Sequence, residues 1–82
     1  MTDQQLLARI TTNPNVMVGK PVIKNTRLTV EFILNLLGHG ATFAEILDEY
    51  QAVTQEDILA CLLFASHSLK DTDFMPLMPE MA

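Results

Sequence analysis

Residues 29–70, TVEFILNLLGHGATFAEILDEYQAVTQEDILACLLFASHSLK, decide the fold. Thr29, Thr42 and Thr54 punctuate this stretch, and each precedes a run with helical spacing. Thr29 caps a predicted helix over Val30–Leu37, which Gly38 and Gly40 end. Thr42-Phe43-Ala44-Glu45 has the capping-box pattern, which predicts a second helix to about Tyr50. Thr54 caps a third, running to about Lys70, with Glu56 and Asp57 where the helix dipole favours acids. Its apolar residues, Ile58, Leu59, Cys61, Leu62, Leu63, Phe64, Ala65 and Leu69, are too many for a single stripe. One face of that helix is expected to fill the core and another to meet a second subunit. The pattern is mainly α and trihelical.

Upstream, Thr2 can cap a short helical turn within the first eight residues, anchored by Leu6 and Leu7. Asn13-Pro14-Asn15 signals a turn, and Val16-Met17-Val18 before Gly19 reads as a short extended piece. Lys20-Pro21-Val22-Ile23 resumes it. Pro21 has no N–H, which predicts an edge strand or an extended arm. Lys24-Asn25-Thr26-Arg27 reads as a second turn, where Asn25 tolerates left-handed backbone angles. Downstream, Asp71–Ala82 contains Pro76 and Pro79 and has no helical period. The expected organisation is a single domain over residues 1–70 followed by a tail over 71–82.

Composition narrows the class. The chain has 82 residues, of which 49% are hydrophobic but only 6% aromatic, and its mean hydropathy is +0.23. So small a body cannot hide that much aliphatic surface, and a subunit or partner interface is expected. A lone cysteine excludes an intrachain disulfide framework. No apolar run is long enough for a membrane span, and MTDQQLLARI lacks the basic and apolar regions of a signal peptide. A cytoplasmic protein is expected. The net charge of −5 is unevenly divided: residues 1–30 sum to +3 and residues 31–82 to −8. Lys20, Lys24 and Arg27 form a basic cluster without an intervening acid. They either contact phosphates, as a DNA-binding arm would, or pair with the acidic body of the same molecule or its twin.

No catalytic constellation emerges. Cys61 sits inside an apolar run, where a thiol behaves as a small hydrophobe. His39 and His67 lack a second ligand at metal spacing, so no metal and no cofactor are expected. The acids of the two later helices occupy the positions of a solvated surface. The two later helices have helix-turn-helix spacing, but the second would aim Glu56 and Asp57 at phosphate-lined walls, which is electrostatically poor.

The stretch Arg9-Ile10-Thr11 followed by Gly19-Lys20-Pro21-Val22-Ile23-Lys24-Asn25-Thr26-Arg27-Leu28 resembles the domain-of-unknown-function 433 family. The resemblance continues through Val30-Glu31-Phe32-Ile33-Leu34, Gly40, Glu45-Ile46-Leu47 and Tyr50. It closes with Thr54, Glu56-Asp57-Ile58, Ala60 and Phe64-Ala65, spanning residues 9–66. Asn25 stands where the family usually has Gly, and Gln51 replaces the proline that usually follows the tyrosine. The resemblance implies a homeodomain-like or winged-helix-like core with a short N-terminal β arm or hairpin. It also implies dimerisation, no enzymatic activity and a PIN-like nuclease as gene neighbour. Many members are regarded as antitoxins of type II toxin–antitoxin pairs.

The resulting expectation is a non-enzymatic protein that binds and neutralises a PIN-like nuclease and binds its own promoter DNA through Lys20, Lys24 and Arg27. The alternative is a structural or scaffold homodimer without nucleic-acid binding. Val22, Ile23, Leu63 and Phe64 are the expected dimer contacts. Phe74, Met75, Leu77 and Met78, in the apolar tail, are the expected partner contacts, since methionines fill irregular grooves.

Overall fold

The computed structural model describes residues 1–15 and 17–70. Four helices, α1 (Asp3–Leu7), α2 (Val30–Gly38), α3 (Phe43–Glu49) and α4 (Gln55–Leu69), accompany a two-stranded antiparallel sheet of β1 (Ile10–Thr11) and β2 (Val22–Ile23), and α4 packs against α1, α2, α3 and β1. The chain is therefore mainly helical, with a small N-terminal hairpin. No described helix is long and apolar enough to cross a membrane.

Each helix starts at a threonine. Thr2, Thr42 and Thr54 each accept from the backbone N–H three residues on, and Gln5, Glu45 and Asp57 return the bond to the cap residue's own N–H. These three capping boxes satisfy donors that a helix start otherwise leaves orphaned. Thr29 caps α2 with the hydroxyl bond alone, accepting from Phe32 N–H at 3.0 Å. Helix α2 ends in a Schellman arrangement. Ala41 N–H donates to Leu36 C=O and Gly40 N–H to Leu37 C=O, both at 3.0 Å, around Gly40 at φ 97°.

One upstream expectation is corrected and another is resolved. Met17–Gly19 forms a short 3-10-type turn kinked at Val18 in place of an extended piece, with Val18 and Gly19 left-handed at φ 55° and 78°. A β-branched residue in that region strains the backbone by about 1–2 kcal/mol. Val18 does so without burial in return, since it is 92% exposed. Lys20–Ile23 does not project as an arm; its strand β2 is the expected edge of a two-stranded sheet, and chain packs on both sides of it. Ile10 pairs with Ile23 and Thr11 with Val22 on one side of β2, while Val22 bridges Thr29 on the other. Pro21 fits there because only its carbonyl is used, accepting Val30 N–H at 3.0 Å. The reversal after β2 is made by Asn25 at φ 66°. Thr26 closes it by donating its hydroxyl to Ile23 C=O at 2.7 Å and accepting Leu28 N–H at 3.0 Å.

Ile23 of β2, Ile33 of α2, Ile46 of α3 and Ile58 of α4 meet in one core with Val30, Val53 and Cys61. One isoleucine from each of four elements is essentially removed from water. Phe32 and Tyr50 stack edge to face with centroids 5.6 Å apart, joining α2 to the end of α3.

Candidate functional site

The fold creates two candidate sites of opposite character. The first is polar and lies where β1 meets the start of α4. Asp57 is the third residue of α4, and its carboxylate accepts Thr54 N–H at 2.9 Å through Oδ2 and Arg9 Nη1 at 3.0 Å through Oδ1. Arg9 Nη1 also reaches Thr54 Oγ1 at 3.4 Å. Asp57 is only 6% exposed, and Arg9 Nε is buried with no partner among the described residues. The pair therefore fastens the N-terminal segment to α4 and is structural in character. Reading Asp57 as a solvated first-turn acid missed this, because nothing local links it to Arg9.

The second site is apolar. Helices α2 and α4 leave an open groove of about 620 Å³ between them, floored by Val30, Leu34, Phe64 and Ala65 and ended by Pro21 and Leu69. Glu31, Asn35, His39 and Ser68 form its polar rim. His39 Nδ1 lies 2.8 Å from Asn35 C=O, so that nitrogen carries the hydrogen and donates it. His39 thus makes a local bond.

The expected dimer contacts divide. Val22 and Ile23 are 2% and 1% exposed within the single chain, so they belong to its own core and offer no surface to a second subunit. Phe64 is half-buried and packs against the core from the groove side. Leu63 is half-buried on the flank of α4. The large apolar residues that α4 does expose are Leu59, Leu62 and Leu69. The expected tail contacts Phe74, Met75, Leu77 and Met78 lie outside the described residues.

The basic cluster is folded in rather than projecting. Lys20 Nζ lies 3.2 Å from Glu31 Oε1, so one cation is paired with the molecule's own acid. That pair is exposed at both ends, and such pairs are worth at most about 1 kcal/mol. Lys24 and Arg27 are exposed on the turn between β2 and α2.

Cys61 is fully buried, and burial, aided by the nearby Asp57 carboxylate, pushes its thiol up from 9.0 to about 12. A thiol raised in the folded state gives stability that is complete below its unfolded value and is lost as pH climbs toward 12. Alkaline unfolding between about pH 9 and 12 should therefore be shallower in Cys61→Ala than in the parent. Denaturant melts across that window check this, and parallel profiles would contradict it. Among the described residues no group of His, Cys, Asp and Glu is placed to hold a metal ion.

The model of the family described as "Protein of unknown function (DUF433)" matches residues 10–65. The fold is similar to the crystal structure of a DUF433 member protein from Anabaena variabilis, with a TM-score of 0.73 and 30% sequence identity. That match covers 85% of this chain and 69% of the other. No curated protein matches. The hairpin, the Asn25 turn, all of α2 and α4 as far as Ala65 fall within the matched residues, and on that ground the chain belongs to the DUF433 family.

Proposed function

We propose that this chain is an antitoxin-like binding protein whose α2/α4 groove takes an apolar segment of a PIN-like nuclease and so neutralises it. The groove is the observation that supports this reading. It is apolar along its floor and polar along its rim, which is the character that accepts an amphipathic helix or strap. Catalysis forms no part of the reading, since the groove offers a docking surface rather than an acid–base pair.

The test is a titration of this chain into a purified PIN-like nuclease, followed by both calorimetry and RNA cleavage. Leu34→Ala removes part of the floor, and Ser68→Arg fills the rim from an exposed position on α4. Each is expected to weaken binding about ten-fold or more, with a matching loss of inhibition. A nuclease that cleaves unchanged in the presence of excess chain sinks the proposal.

Promoter binding is the subsidiary part of the same proposal, and the exposure of Lys24 and Arg27 supports it. Replacing Lys20, Lys24 and Arg27 together with alanine should flatten the log–log salt dependence of DNA binding, by a slope of about 0.9 for each phosphate no longer neutralised. A chain that self-associates yet binds neither nuclease nor DNA is the scaffold alternative.

A further inference from the structure

Ile58, Cys61, Phe64, Ala65, Ser68 and Leu69 follow one another along α4 at helical spacings and share one face. The first half of that face is closed, since Ile58 and Cys61 are 0% exposed in the core. Further along, Phe64 and Ala65 are half-buried, Ser68 is exposed and Leu69 is 65% exposed. This second half forms one wall of the groove, with Leu34 of α2 on the other. Helix α1 does not cover it. That helix lies on the opposite flank of α4, where Asp3 Oδ2 is 4.0 Å from His67 Nε2. The core face of α4 therefore runs on into the groove, toward the end at which the chain leaves the helix.

Residues 71–82 follow Lys70 and lie outside the described ones. They begin Asp71-Thr72-Asp73, residue types that favour a reversal of the chain. Phe74-Met75-Pro76-Leu77-Met78 comes next, and its proline excludes a regular helix and biases Met75 toward extended angles. At about 3.1 Å per residue these five residues reach about 15 Å. The α2 wall of the groove, from Val30 to His39, is about 13 Å long at about 1.5 Å per residue. Run and wall agree in length and in apolar character. We propose that residues 74–78 seat in the groove of their own chain, as a strap that a nuclease segment must displace. The seating needs only the groove, whereas the competition rests on the nuclease reading. A segment tethered this closely meets the groove at an effective concentration of about millimolar, far above that of a separate partner. A strap seated about nine-tenths of the time lowers a competitor's affinity about ten-fold.

A nitroxide attached to Glu80→Cys of the full chain tests the seating by nuclear magnetic resonance. Cys61 is buried, so the reagent reacts at position 80 alone. The amides of Leu34, Asn35, Ala65 and Ser68 are expected to broaden strongly, and those of α3, which does not line the groove, to broaden less. Ser68→Arg, on the rim at an exposed position, should abolish that difference. Broadening spread evenly over the chain overturns the proposal, as does broadening that Ser68→Arg leaves untouched. Isotope-labelled chain mixed with separately nitroxide-labelled chain identifies the source of the strap. Equal broadening in that mixture assigns the strap to a second copy and overturns seating within one chain. Calorimetry with a purified PIN-like nuclease then reads the competition. Phe74→Ser combined with Leu77→Ser should raise the affinity about ten-fold, because the groove is freed. A fall in affinity would make these residues nuclease contacts, and an unchanged value would show no competition, so either overturns the competitive role. A nuclease that binds neither chain while the selective broadening persists sinks the nuclease reading and leaves the strap in place.

Discussion

Replacing Asp57 with alanine is expected to destabilise the fold by about 2–4 kcal/mol, a large share of the total stability of so small a domain. Three losses combine. The capping box of α4 goes, because the carboxylate no longer accepts Thr54 N–H. Arg9 loses its 3.0 Å partner while its Nε stays buried. The favourable charge at the start of a 15-residue helix disappears as well. The expected loss sits below the full cost of breaking a buried pair because the Arg9 side chain is 32% exposed and can rehydrate in part. Asp57→Asn should fall between the two, since an amide oxygen can still cap but carries no charge. Urea unfolding measures both. A loss under about 1 kcal/mol for Asp57→Ala would show that the bond from Arg9 is incidental.

Ile58→Ala is expected to cost about 2–5 kcal/mol, the range for emptying a well-packed core site. Ile58 is 0% exposed and packs at the meeting point of the four isoleucines. Its neighbours come from β2, α2 and α3, so the cavity cannot close by a shift of one element. Leu62, four residues further along the same helix, is 41% exposed, and Leu62→Ala should cost less than about 1 kcal/mol in the isolated chain. The contrast between the two is the informative measurement. Equal losses would mean that α4 is not oriented as described.

What the sequence makes legible is local. Thr29, Thr42 and Thr54 announce their helices because a cap is decided by residues within one turn of it. Asn25 announces its turn for the same reason, since few residues tolerate a positive φ. Val18 misleads, because a β-branched residue beside another valine-rich segment argues for extended chain and nothing nearby signals the 3-10 turn. Val22 and Ile23 mislead in another way. Their apolar character is plain, but whether an apolar strand faces its own core or a neighbour depends on which segments close over it. Here β1 and the returning residues 28–30 do so. The α2/α4 groove is out of reach of sequence because it is a space between helices rather than a property of either. The exposed face of α4 is closer to hand: its spacing is present in the sequence, but only burial separates Leu59, Leu62 and Leu69 from the apolar residues between them.

The bond between Arg9 and Asp57 spans 48 residues of an 82-residue chain. Closing a loop of that length costs entropy before the bond returns anything, whereas α2, α3 and α4 are joined by short connections and can meet early. The N-terminal segment is thus the last part to dock and the first to leave. Its attachment acts as a latch on an already folded helical body, slowing escape from the native state more than it speeds arrival there. Amides of α1 and β1 should accordingly exchange with solvent through a partial opening that leaves the isoleucine core closed.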